Sequence, residues 1–248
     1  MSKVVAAITT SVDGYVTGPN DGPGKGLGEG GERLHYWVFG GPWSYDAEPG
    51  GEATGEDAKW LRGAMARIGA VVGGRGTYEA AEHWGDENPW GLPFFIVTHR
   101  PEEQPEGDAF IFVGGVEEAA TRAKEAAREK DVNVMGGAET IRQALEADLV
   151  DELTIIIAPV ILGAGKRLFE EFTKDIELEH LGVRQSQFAT FIDYRVRSDG
   201  ASAGPATRPA ARSRPVSDRP RASSADYVST RPAVAGRECG HSQGRADA

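Results

Sequence analysis

Short apolar runs alternate along the chain with segments of helical periodicity. Five of these runs predict β-strands: KVVAAIT (3–9), AVVGGR (70–75), FFIVTHR (94–100), FIFV (110–113) and VNVMGG (132–137). Between them, apolar side chains recur at helical spacing. In the first helical segment, GEDAKWLRGAMARIG, four of them share one face: Ala58, Leu61, Met65 and Ile68. The alternation predicts strands joined by helical crossovers.

The second half of the chain continues this pattern and then changes it. GTYEAAEHW, VEEAATRAKEAAREK and AETIRQALEADL predict further helices, and VDELTIIIAPVIL predicts a sixth strand. GAGKRLFEEF predicts a turn that begins a short helix, and residues 176–197 alternate as two antiparallel strands do. We therefore predict a three-layer α/β fold, with a mixed, mostly parallel sheet, antiparallel C-terminal strands and helices on both faces.

Two regions lack this periodicity. Residues 18–55 are rich in glycine and typical of a long loop, but five aromatic residues near Trp37 favour a functional loop over a solvated linker. Residues 200–248 are rich in Ala, Arg, Pro and Ser, with too few aliphatic residues to form a core. We predict one domain over residues 1–199 and a disordered tail over 200–248. The Arg-Pro repeats of the tail leave contact with acidic surfaces or nucleic acid as an alternative to a solvated segment.

Charge and cysteine content narrow the functional classes. The chain has 248 residues and a net charge of −11, and residues 200–248 carry +4, so the remainder carries −15. An acidic body argues against nucleic-acid binding by the domain. Cys239 is the only cysteine, which excludes a disulfide within the chain and a cysteine metal site. We expect no metal, no membrane span and no signal peptide, and therefore a cytoplasmic protein.

Candidate chemistry lies at three predicted strand ends. VGGRGTYE (72–79) and VMGGAE (134–139) place glycines before helix starts, where the backbone can approach an anion closely. VTHRP (97–101) adds a hydroxyl, an imidazole and a guanidinium, a set that suits a phosphomonoester. Each signal is weak alone, because glycine pairs more often only turn the chain, and neither G-x-G-x-x-G nor a P-loop is present. Parallel strands bring all three ends to one edge, where ligands bind.

The ordered set of motifs resembles a known family. SVDGYV, VVGGRGTYE, IVTHRP, VMGGAETIRQAL and LVDELTIIIAPVILGAGKRLF match, in order, the dihydrofolate reductase-like fold, in the branch of the riboflavin-biosynthesis reductase domain and its uncharacterised bacterial relatives. The resemblance covers about residues 3–197 and implies NADPH as cofactor, with a homodimer by analogy. It assigns cofactor binding to ten residues: Gly74, Arg75, Thr77, Thr98, Arg100, Gly136, Gly137, Ala138, Glu139 and Thr140. Surface salt bridging is the alternative for both arginines.

The resemblance is weaker in the substrate region. The riboflavin-pathway reductase typically has a glutamate immediately before the glycine pair, where this chain has Met135, so we doubt that substrate. Asp13 lies beside the expected nicotinamide position and is a candidate proton donor, with turn formation as its alternative. His35 is the other catalytic candidate. Four residues are assigned to substrate binding: Trp37, Phe39, Trp43 and Met135.

The resemblance thus implies an NADPH-dependent oxidoreductase, which we expect to transfer a hydride to a small, planar heterocycle or a C=N or C=O compound. Two alternatives remain open. One is 5-amino-6-(5-phosphoribosylamino)uracil reductase of riboflavin biosynthesis. The other is a nucleotide-binding or interaction protein without turnover.

Overall fold

A computed structural model describes residues 2–47 and 51–197; the predicted tail, residues 200–248, lies outside this range. Eight strands form one sheet in the order β4-β3-β2-β5-β1-β6-β8-β7. The strands are β1 (Val4–Thr10), β2 (Ile68–Gly74), β3 (Phe94–Val97), β4 (Ile111–Val113), β5 (Asp131–Gly136), β6 (Glu152–Ile157), β7 (Glu177–Gln185) and β8 (Thr190–Arg197). The first six are parallel, whereas β8 is antiparallel to both β6 and β7. The predicted fold class is confirmed.

Over residues 2–47 and 51–197, five α-helices and three 3₁₀ segments connect the strands. The helices are α1 (Tyr36–Phe39), α2 (Gly55–Arg67), α3 (Arg75–Ala80), α4 (Val116–Ala127) and α5 (Ala138–Glu146). The 3₁₀ segments are Gly31–His35, Glu82–Asp86 and Pro101–Glu103.

The core lies on both faces of the sheet. Along β5, the fully buried Val132 and Val134 pack in the cluster formed with α4 and α5, where small residues such as Ala119 and Ala123 let α4 approach the strands. Trp37, Ile156 and Phe191 form a second cluster with side chains of α2. A third, aromatic cluster surrounds Phe94 and contains Tyr78 and Phe110. Alternation along the strands therefore supports a layer on each side.

The parallel strands bring the three predicted strand ends together. In the register, Gly74 at the end of β2 lies beside Val97 of β3, and Gly73 lies beside Gly136 of β5. The helix starts of α3 and α5 and the segment 98–100 therefore follow from adjacent strands at one edge of the sheet. This is the arrangement that the sequence predicts.

Three local predictions are wrong. Ile68 begins β2 instead of ending α2, and Met65, predicted to share the buried face, is 37% exposed. GAGKRLFEEF forms no helix. Its chain runs beside the first loop instead and pairs with it through the Tyr15–Arg167 bridge. Residues 31–39, predicted as loop, form 3₁₀ and α-helical turns. In the first two regions a tertiary contact overrides the local pattern.

Candidate active site

One large cleft connects the predicted cofactor and substrate residues. Its volume is about 1580 Å³, and its walls come from the sheet, α2 and the strand ends at the carboxyl edge. Most of the residues predicted for the site line it: His35, Trp37, Phe39, Gly74, Arg75, Thr77, Thr98, Arg100, Met135, Gly136, Gly137, Ala138, Glu139 and Thr140. Asp13 and Trp43 are not among the lining residues.

Glycine is required where β2 and β5 meet the following helices. A Cβ atom at Gly74 would overlap the hydroxyl of Thr140 on α5, and one at Gly137 would lie 3.1 Å from the Thr77 hydroxyl on α3. Gly136 has φ +125°, a conformation that side chains disfavour, and the Gly136–Gly137 peptide is cis. The two threonine hydroxyls and the bare backbone thus form a shallow, polar cradle in the cleft wall.

The N-terminus of α5 opens onto this cradle. Its N-cap is Gly137, and among the described residues no side chain caps it, so the first-turn N–H groups of Ala138, Glu139 and Thr140 have no side-chain acceptor there. The Glu139 carboxylate accepts hydrogen bonds from Arg142 and Gln143, and the Arg142 bond in particular lowers the pKa of Glu139. The helix start therefore remains available to an anion such as a pyrophosphate.

Arg75 and Arg100 form a charged cluster at the outer end of the cleft. Arg75 donates Nε–H to Glu79 (2.7 Å) and Nη2–H to Glu103 (3.1 Å), while Arg100 donates Nη1–H to the other Glu103 oxygen (2.8 Å). The Arg75 guanidinium also lies over the Phe112 ring, 4.8 Å from its centroid, and its Nη1 is buried with no hydrogen-bond partner in the part of the chain that the structure describes. Two guanidinium groups are thus held close together by one shared carboxylate.

Thr98 and His99 connect this cluster to the cradle. Thr98 is buried, and its hydroxyl accepts the backbone N–H of Arg100 at 3.1 Å, which fixes the direction of the chain after β3. His99 lines the cleft and contributes to lowering the pKa of Glu139. The segment after β3 therefore brings a hydroxyl and an imidazole to the strand end, and both residues line the cleft.

The inner part of the cleft is mostly aromatic and apolar. Trp37 is almost fully buried, donates its Nε1–H to Thr9 (3.0 Å) and packs edge-on against Trp60 (5.5 Å) and Phe191 (5.4 Å). Met135 is partly buried beside the aromatic cluster around Phe94. These contacts give the cleft an aromatic, apolar wall of the kind that lines small-molecule sites.

Trp43 supports this wall from behind. Its ring packs edge-on against Phe39, with 5.1 Å between centroids, and Phe39 itself lines the cleft. Trp43 therefore contacts a residue of the cleft wall but does not itself line the cleft, where we predicted it to bind substrate.

The two catalytic candidates occupy different surroundings. The Asp13 carboxylate accepts the backbone N–H groups of Leu162 (3.1 Å) and Gly163 (2.8 Å). Hydrogen bonding, chiefly from Ser11, lowers the pKa of Asp13 to about 2. His35 lines the cleft, and burial lowers the pKa of its imidazole to about 4. At neutral pH Asp13 is thus ionised and His35 uncharged, and neither carries a proton that it releases easily.

The two acidic residues at the start of α2 also differ. Glu56 lines the cleft, whereas Asp57 is buried towards Ser186 in the β7–β8 turn, and its burial raises the pKa of its carboxyl. Asp57 is not among the residues that line the cleft. Asp57 lies in the first turn of α2, where an acidic side chain interacts favourably with the helix dipole.

Sequence reasoning missed a polar group in the cleft. Arg184 of β7 binds the carboxylate of Asp193 on β8 through two nitrogens (2.6 and 3.2 Å), and the Thr154 hydroxyl donates to the same carboxylate (2.8 Å). All three residues line the cleft. Only the strand register brings them together, so no local motif could have indicated them.

Comparison with known proteins places the chain in a family. The family model described as RibD C-terminal domain matches residues 2–189. The uncharacterised protein YwjB of Bacillus subtilis (strain 168) is 30% identical over 129 residues, which are 51% of this chain and 73% of YwjB.

Solved structures agree on the fold. A candidate riboflavin biosynthesis protein from Shewanella sp. PV-4 matches with a TM-score of 0.58 at 22% identity, over 79% of this chain and 99% of that one. A pyrimidine reductase-like protein from Corynebacterium diphtheriae matches with a TM-score of 0.53 at 17% identity, over 80% and 93% of the two chains. Dihydrofolate reductase from Enterococcus faecalis, complexed with NADP(H) and RAB-propyl, matches with a TM-score of 0.50 at 17% identity, over 79% and 97%. The chain belongs to the RibD C-terminal domain family and has a dihydrofolate reductase-like, reductase-type fold.

Proposed function

We propose that the protein is an NADPH-dependent reductase of a small, planar heterocycle or a C=N or C=O compound. The observation that carries this proposal is the position of the glycine cradle. Gly74 and Gly137 leave the backbone bare beside the open N-terminus of α5, at the mouth of a cleft with aromatic walls. A dinucleotide needs both features, because its pyrophosphate requires backbone donors and its nicotinamide requires a dry, flat surface.

The residues present fit NADPH along the whole cleft. Gly136–Thr140 would bind the pyrophosphate, with the Thr77 and Thr98 hydroxyls beside it. Arg100 and Arg75 would bind the adenosine 2′-phosphate, since guanidinium groups suit phosphate geometry. When bound, NADPH supplies the hydride that reduces the substrate.

The protein's own contribution is mainly positioning. Trp37, held by its hydrogen bond to Thr9, and Phe39 would orient a planar substrate and exclude water from one of its faces. Because Asp13 is ionised at neutral pH and lies off the cleft lining, we propose that solvent water supplies the proton and that Asp13 holds the loop.

The direct test compares NADPH with NADH. We expect NADPH to bind more tightly, and Arg100→Ala to weaken NADPH by about tenfold, which is the loss of one charge-assisted hydrogen bond of roughly 1.4 kcal/mol. The affinity for NADH should change little in Arg100→Ala, because NADH lacks the 2′-phosphate. Isothermal titration of both dinucleotides measures this, and failure of the wild-type protein to bind either one would overturn the proposal.

The riboflavin-pathway reaction is the second candidate, favoured by the family match. Met135 argues against it, because its thioether lines the cleft where that reaction would call for a carboxylate to bind a polar sugar. NADPH oxidation with a panel of pterins, flavin precursors and imines separates the candidates. Dinucleotide binding without oxidation by any substrate would favour a nucleotide-binding protein without turnover.

We also propose a homodimer. Its support is the edge strand β7, where Leu181 and Val183, which also line the cleft, are 43% and 55% exposed. Apolar side chains on an open sheet edge favour burial against a partner. Light scattering during size-exclusion chromatography tests it, and a monomeric mass would exclude it.

A further inference from the structure

We infer that Glu103 competes with the 2′-phosphate of NADPH for Arg75 and Arg100, and so sets how strongly the protein prefers NADPH over NADH. This inference rests on the proposed function. It concerns a residue that no sequence motif indicated. It follows from the way in which the two arginines are paired.

Carboxylates already bind both guanidinium groups. Glu79 and Glu103 take the Nε and Nη2 atoms of Arg75, and the third nitrogen, Nη1, is buried. The same Glu103 carboxylate takes Nη1 of Arg100. Glu103 therefore lies between the two guanidinium groups, and a phosphate that binds both arginines would compete with its carboxylate, because carboxylate and phosphate use the same donor geometry.

The charges of the two arginines and their two glutamate partners cancel. Arg75 and Arg100 carry two positive charges, and Glu79 and Glu103 carry two negative ones. The four-residue cluster is thus neutral before any ligand arrives. A dianionic phosphate next to Glu103 would meet repulsion as well as attraction, whereas the 2′-hydroxyl of NADH would not.

The Glu103 side chain has room to move. Glu103 ends the short 3₁₀ turn Pro101–Glu103, and its side chain is 39% exposed. An exposed ion pair is weak, so the carboxylate can rotate into solvent when a phosphate replaces it. Glu103 thus lowers the affinity for the phosphorylated dinucleotide without blocking it.

The test is Glu103→Gln in the full-length protein, titrated with NADPH and NADH at low salt. Removing the charge should tighten NADPH binding about two- to fivefold, the range expected for an exposed charge pair, and leave NADH within error. The gain should shrink as salt is added, because screening weakens exposed charges. Unchanged NADH affinity also reports that the variant is folded.

Glu102→Gln is the matched control. Glu102 is the exposed neighbour on the same turn, and within the described residues it forms no ion pair or side-chain hydrogen bond. It should leave the NADPH-to-NADH ratio unchanged. The inference is overturned if Glu103→Gln weakens NADPH, shifts both dinucleotides equally, or has the same effect as Glu102→Gln. Absence of any dinucleotide binding by the wild-type protein would instead overturn the proposed function, and this inference with it.

Discussion

Asp13 illustrates how one residue can fit two roles until its partners are known. The Asp-Gly pair in SVDG fits a turn as well as a proton donor, and only the fold brings Leu162 and Gly163, almost 150 positions away in sequence, to its carboxylate. Those backbone N–H groups connect the first loop to the segment after β6. Long-range hydrogen bonds of this kind leave no local pattern in a sequence.

The lowered pKa of Asp13 predicts how its contribution to stability depends on pH. The carboxylate is stabilised in the folded state, where its pKa is about 2 instead of 3.8. Its contribution is fully present above the unfolded value and is lost as the pH falls through about 2. Asp13→Asn should therefore lower the urea midpoint at pH 7, and the difference from wild type should shrink from pH 4 to pH 2.

Asp175→Asn serves as the control, because Asp175 is exposed and forms no side-chain hydrogen bond within the described residues. It should leave the midpoint unchanged across this pH range. A difference between Asp13→Asn and wild type that stays constant down to pH 2 would show that the carboxylate charge is not the cause.

At the scale of elements, strands and crossover helices were well predicted because each carries its own periodicity. β5 and α5 follow directly from VNVMGG and AETIRQALEADL, and their glycine junction was expected. The end of α2 was predicted wrongly, because Ile68 fits a helical face as well as the start of a buried strand. The GAGKRLFEEF segment failed for a related reason, since its conformation depends on the loop around Tyr15.

The junctions of β2 with α3 and of β5 with α5 supply a sharp prediction. Gly74→Ala should weaken NADPH binding at least tenfold, because its methyl group would overlap the Thr140 hydroxyl and displace the start of α5. Gly76→Ala is the matched control two residues away on α3, where a Cβ meets nothing within 4 Å. Titration calorimetry compares the NADPH affinities of the two variants. Equal affinities would show that the cradle does not contribute to NADPH binding.

At the scale of the whole molecule, the order of motifs predicted the fold and the edge at which the strand ends meet. It did not predict the Arg184–Asp193 pair or Glu103, because both depend on which strands and turns become neighbours in space. Within the described residues, no helix is long and apolar enough to span a membrane. The cleft thus combines a glycine-rich edge that the sequence indicates with a polar pair, Arg184–Asp193, that only the fold brings together.

The central claim is that NADPH binds along this cleft, and a crystal structure of the protein with NADPH tests it most directly. We predict that the pyrophosphate contacts the backbone of Gly137 and the first turn of α5, with the 2′-phosphate at Arg100 and the nicotinamide towards Trp37 and Met135. NADPH bound elsewhere on the protein, or a cleft that stays empty at saturating NADPH, would contradict the account.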